Sequence, residues 1–127
     1  MDSQREKFFS TFCYGKKIPN TIDQSLKTFS HCSEWSGEFD LPRNITKISL
    51  VCIKVKENIK VFVGIKGKTL RSCRVKNGTK RYSYQFDCHG AGSDTIEIRG
   101  CWTIFDVKVV GTFNYLFFYF LFPLLKK

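Results

Sequence analysis

An all-β fold is predicted by three observations. Apolar and polar residues alternate in short bursts from Trp35 to Gly111, turn signals separate the bursts, and no helical period of useful length runs between residues 35 and 111. Seven short strands joined by turns predict an antiparallel β-sandwich of the jelly-roll kind. At 127 residues the chain has room for one domain. Three segments divide it: a polar N-terminal segment over 1–30, the sandwich over 31–111, and a hydrophobic aromatic tail over 112–127.

The first segment carries no sustained period and is expected to run over the surface, with one turn near "GKKIPN". In "WSGEFDL", Trp35, Gly37, Phe39 and Leu41 share one side while Ser36, Glu38 and Asp40 share the other, the two-residue period of a half-buried strand that Pro42 should end. "ITKISLVCIKVK" puts Ile48 and Leu50 on one face and Val51, Ile53 and Val55 on the other. That slip of phase predicts a bulge near Leu50 or burial on both sides.

"ENIKVFVGIK" sets Ile59, Val61, Val63 and Ile65 inward and Lys60 and Lys66 outward, with Glu57 and Asn58 as a hairpin turn. After "LRSCRV" and the turn "KNGT", the run "RYSYQFDC" aligns Tyr82, Tyr84, Phe86 and Cys88. "GAGS" reads as another turn. Beyond it Ile96 and Ile98 alternate with Thr95, Glu97 and Arg99, and Phe105, Val107 and Val109 alternate with Asp106 and Lys108.

The formal net charge of +10 is concentrated between residues 54 and 81, where ten Lys or Arg face one acid, Glu57. Such a stripe attracts polyanions: sulfated glycans, anionic lipid headgroups or nucleic acid. Phe62, Tyr82 and Tyr84 are the only nearby rings, too few for a base-stacking platform, so nucleic acid is not the expected partner. The plain alternative is a solvated strand face.

Six cysteines stand at intervals of 19, 20, 21, 15 and 13 residues, without a C-x-x-C for zinc or thiol exchange. Disulfides are the better reading, and sequons at Asn44 ("NIT") and Asn77 ("NGT") point to the same secretory setting. Cys73 and Cys88 flank the "KNGT" turn, so antiparallel pairing of their strands would bring them together; closing a loop of that size is worth ~3 kcal/mol. Cys32 with Cys101 would tie the front of the module to its last strands and leave Cys13 and Cys52, although four cysteines allow three pairings.

The landmarks "TIDQSLKTFSHCSEWSGEFDL", "ITKISLVCIKV", "IKVFVG", Cys73 with Cys88, and "IFDVKVVG" follow one another in an order that resembles the galactose-binding-like domains: discoidin (coagulation factor type C) modules and F-type lectins. The resemblance spans Ile22 to Gly111; another antiparallel sandwich, such as an immunoglobulin-like one, remains the alternative. It implies a sugar pocket made by one His and two Arg at one end of the sandwich. His31 stands near the family's His, and Lys54 and Lys56 stand where its R-x-D segment and following Arg fall, as cations without the planar guanidinium fork.

Enzyme chemistry is not expected. "GIKGKT" would need Phe62 to be the first glycine of a phosphate loop, "GAGSD" lacks the nucleophile elbow around Ser93, and His89 beside Cys88 has no evident partner. Glu34, Glu38 and Asp40 cluster without the D-x-D-x-D-G loop of a calcium site. No cofactor is expected.

In the tail, seven of the ten residues from Phe113 to Phe122 are aromatic. As a helix, 113–125 would rise about 20 Å, short of the ~30 Å hydrocarbon core. Three readings compete: an interfacial anchor with Lys126 and Lys127 at the headgroups, a cover for the sandwich, or residues foreign to the module's natural continuation, which ranks first. The N-terminus offers no signal-peptide h-region. Either a leader lies on a missing upstream segment or the protein is cytosolic with reduced thiols.

The expected function is a non-catalytic extracellular or cell-surface recognition module for a glycan or protein, a fragment of a receptor or lectin-like protein. The second expectation is a small basic membrane-associated protein held by its aromatic tail.

Overall fold

The computed structural model describes Phe8 and residues 10–19, 30–76 and 80–112. The tail and the Asn77 sequon lie outside the described residues. Seven strands form one continuous antiparallel sheet: β1 (Ser10–Cys13), β2 (Lys16–Ile18), β3 (Ser30–His31), β4 (Glu34–Gly64), β5 (Arg71–Ser72), β6 (Arg74–Lys76) and β7 (Ser83–Thr112). The order is β2-β1-β4-β7-β3, with β5 on β4 and β6 on β7. The all-β class is therefore present, and no helix occurs among the described residues.

The expected row of short strands is replaced by two very long ones, β4 of 31 residues and β7 of 30. Each serves twice. Residues 44–51 of β4 lie between two arms of β7, pairing with 106–112 on one side and 83–90 on the other. Reciprocally, residues 95–99 of β7 lie between two arms of β4, 34–38 and 60–64. Register shifts at the junctions bend both strands, which is how one ladder passes around a core.

Three expected breaks are thereby corrected. Pro42 interrupts the ladder between Glu38 and Arg43 but not the strand. "GAGS" lies inside β7 as a bend rather than a turn. Glu57 and Asn58 make no hairpin, because the segments on either side of them both pair with β7, 52–55 with 101–104 and 60–64 with 95–99. At this crossing Gly100 has φ 91°, and a Cβ there would lie 2.6 Å from the Asn58 carbonyl oxygen. Only glycine combines that backbone with that approach.

Alternation decides the core. Trp35, Ile45, Ile48, Leu50, Val61, Val63, Phe86, Ile96, Ile98, Ile104 and Val107 are almost completely buried. Phe8 packs edge-on against Trp35 at 5.0 Å and stacks on Phe39 at 4.9 Å. Ile48, Leu50 and Cys52 keep to the core, whereas Ile53 and Val55 are exposed and Val51 half-buried, and the bulge expected near Leu50 falls just beyond it, at residues 51–54. Ile53 is skipped on β4 between the Cys52–Ile104 and Lys54–Thr103 pairs, and β7 carries an extra residue beside it. Val51 pairs with Asp106 and Cys52 with Ile104, so Phe105 is skipped and only half-buried, while Ile104 takes the core position and Asp106 is buried as well. Ile65, expected inward, is exposed.

The N-terminal segment contributes more than a surface path. Cys13 pairs with Lys16, leaving Tyr14 and Gly15 as a two-residue hairpin loop at φ 50° and 81°. Positive φ at both central positions is the primed turn that matches the strand twist. β1 then pairs with residues 35–38 of β4.

All six cysteines are joined: Cys13–Cys32, Cys52–Cys101 and Cys73–Cys88. The 73–88 bridge matches its expectation. The expected Cys32–Cys101 bridge is not formed, because Cys13 at the end of β1 reaches Cys32 and the Cys52 strand runs beside Cys101.

Candidate functional site

At one end of the sheet, the β1–β2 turn, the start of β4 and the 56–60 crossing enclose an open cleft of about 510 Å³. Its walls are Tyr14, Ser33, Glu34, Lys56, Glu57, Asn58, Lys60 and Arg99. A shallower hollow of about 260 Å³ adjoins it through Tyr14, Glu34 and Arg99 and reaches Trp35, Ser36 and Glu97.

Two disulfides frame this end. Cys13–Cys32 stands next to Tyr14 and Ser33 in the chain, and Cys52–Cys101 ties the strands that lead to Arg99 and Lys56. The Tyr14 amide donates to the Glu34 carbonyl at 3.0 Å and the Gly100 amide to the Ser33 carbonyl at 3.2 Å. The Tyr14 and Ser33 hydroxyls hydrogen-bond to one another. Tyr14 is thus a bulky residue held in the left-handed region, a conformation that costs energy, with its side chain still 60% exposed.

Cations and anions are mixed along the walls. Arg99 Nη2 donates to Glu97 Oε1 at 2.9 Å, its Nε lies 3.8 Å from Glu34 Oε1, and its guanidinium lies 5.1 Å from the Phe62 ring centre. The guanidinium is oriented yet half in solvent. Lys56 Nζ lies 5.6 Å from the ring centre of Trp102, itself an exposed residue. The cleft can offer a liganded molecule donors, acceptors, charge of both signs and one aromatic edge.

Of the residues expected to bind ligand, only Lys56 lines the cleft. His31 and Lys54 are both in register with Thr103, on opposite sides of β7, about 10 Å apart across two strand spacings. Both are exposed, and neither belongs to the cleft wall. Lys60, expected only as part of the 54–81 basic stripe, lines the cleft too, whereas Tyr14, Ser33, Asn58 and Arg99 went unread as site residues. The one available signal was "CYGK", a two-residue turn between short strands, masked by the polar composition around it.

In the acidic cluster, Glu34 faces Arg99, Glu38 Oε2 lies 3.3 Å from Lys66 Nζ, and Asp40 Oδ1 lies 3.2 Å from Arg43 Nη2. Each carboxylate has a cation rather than a shared centre, and no group of three or more metal-ligating side chains stands together among the described residues. Asn44, in the first sequon, is half-buried and pairs with Thr112, and the Thr46 hydroxyl donates to the Val110 carbonyl at 3.2 Å. No helix among the described residues is long and apolar enough to cross a membrane.

All ten cations of the 54–81 stripe are exposed. No family model, curated protein or solved structure matches the chain.

Proposed function

We propose that this chain is a non-catalytic extracellular recognition module that takes a glycan or a protein segment into the cleft beside Tyr14, in the manner of a galactose-binding-like module of a surface receptor or lectin. The observation that carries this reading is Tyr14 itself. The primed turn itself needs the positive φ but not a tyrosine, since asparagine or glycine would supply it at lower cost; Tyr14 instead sets an exposed ring, bridged to Ser33 and framed by two disulfides, at the cleft wall. Sugars and peptides both present hydrogen-bonding groups beside apolar faces, which a ring flanked by Asn58, Lys60 and Arg99 can meet. Three disulfides are typical of extracellular proteins and support that destination.

The test is a glycan array with fucosylated and sulfated members, run beside a panel of extracellular proteins, using disulfide-intact full chain and its Tyr14→Asn and Lys60→Ala variants. Binding that weakens at least about ten-fold in either variant supports the cleft. Silence on both arrays, or binding indifferent to both variants, removes it.

A further inference from the structure

We infer that the edge formed by β5, β6 and the Lys80–Ser83 turn is a second binding surface, separate from the cleft, for a linear sulfated polysaccharide. From residue 65 to residue 81 the chain carries seven cations and no acid. Lys66 is drawn to Glu38, but five of the seven, Arg71, Arg74, Lys76, Lys80 and Arg81, fall on β5, β6 or the turn that leads into β7. β5 pairs with the 62–63 part of β4 and β6 with the 85–87 part of β7, so this short edge spans both halves of the bent sheet. Cys73, between the two strands, is bonded to Cys88 and fixes the edge to β7.

Arg71, Arg74 and Lys76 are exposed along that edge over a span of up to about 16 Å, taking ~3.3 Å per residue. Lys80 and Arg81 add two more exposed cations in the turn that the Ser83 amide closes on the Lys80 carbonyl at 3.0 Å. Two heads are partly positioned already: Arg71 Nη1 donates to the His89 carbonyl at 3.3 Å, and the Arg81 guanidinium lies 4.8 Å from the Tyr82 ring centre. The neighbouring anion in register is Asp87, opposite Arg74. A row of this length, with so few counter-charges, fits a polymer carrying an anion at each repeat better than a single small anion.

The choice of polymer rests in part on the extracellular reading above. Nucleic acid would want rings interleaved with the cations for bases to stack on, and only Tyr82 stands exposed among them. Charged edge strands also guard against sheet-to-sheet pairing, and the experiment has to separate guarding from binding.

The experiment measures affinity of the disulfide-intact full chain for heparin, for chemically desulfated heparin, for a single-stranded DNA of matched charge and for vesicles rich in phosphatidylserine, over a salt series. The key variant is Arg74→Ser with Lys76→Ser. Its control is Lys16→Ser with Lys17→Ser, which removes the same charge from the exposed edge strand β2. Heparin is expected to bind best, with the Arg74/Lys76 variant losing about ten-fold and its log–log salt slope falling by about two, one per lost contact. The control should lose less than about three-fold. Equal losses in the two variants would reduce the effect to net charge and overturn the inference. Retention by desulfated heparin, or tighter binding of DNA or vesicles, would overturn the assigned ligand while leaving the cleft reading intact. If the Arg74/Lys76 variant self-associates with heparin affinity unchanged, the cations are edge guards and the inference fails.

Discussion

The Tyr14 and Ser33 hydroxyls meet at the mouth of the cleft, joining the β1–β2 hairpin to the residue that precedes β4. This contact couples a turn with unfavourable backbone geometry to the wall of the site. Stability and binding should therefore respond differently to substitution there.

Tyr14→Phe removes the hydroxyl bond and keeps the left-handed backbone cost, whereas Tyr14→Asn removes the bond and relieves the cost, because asparagine before glycine suits this turn. Urea unfolding should find the Asn variant more stable than the Phe variant by about 1 kcal/mol. The reverse order would show that Tyr14 is comfortable where it is.

Arg99 is engaged by Glu97, Glu34 and Phe62 but remains half exposed. Arg99→Ala should change unfolding free energy by less than about 1 kcal/mol, since exposed ion pairs contribute little. Its effect on any ligand of the cleft should be far larger. A stability loss of several kcal/mol with unaltered binding would mark it as a structural residue.

Gly100→Ala places a methyl group 2.6 Å from the Asn58 carbonyl oxygen at φ 91°. A loss of roughly 1 to 3 kcal/mol is expected from backbone strain. The displaced 57–58 segment should also lower ligand affinity, measured on the folded fraction at low temperature.

Mass mapping of non-reduced peptides should recover 13–32, 52–101 and 73–88 and no other pairs. Paired serine substitutions should cost most at 52–101, which closes 49 residues, about 4 kcal/mol against about 3 for 73–88, which closes 15, in the chain-entropy account. Chemical unfolding of the two double variants orders them.

What could be read in advance followed from local chemistry. The two-residue period placed Trp35, Phe39, Val61, Val63, Ile96 and Ile98 correctly, because the pleat imposes it whatever the partner strand. The 73–88 bridge was legible because its two strands are near in sequence. Cys13–Cys32 was not, since β1 sits in a polar stretch whose pairing with β4 only tertiary structure reveals. Glycines and Pro42 read as stops because turn chemistry and bend chemistry use the same residues. A bend that keeps its ladder cannot be told from a turn without knowing the neighbour on the other side. The cleft escaped for the same reason: Tyr14, Asn58 and Arg99 lie far apart in sequence and meet only where β4 crosses β7.

The reciprocal nesting of β4 and β7 carries a kinetic consequence. Neither long strand has a completed partner until the other is in place, and partners such as Asn44 and Thr112 are separated by most of a domain's length. Assembly must wait for distant segments to find each other, which puts folding among the slow, millisecond-to-second class. It also leaves no autonomous half: once the chain is nicked between the two strands and the Cys52–Cys101 bridge that still joins them is reduced, the separated fragments should become ordered only when mixed.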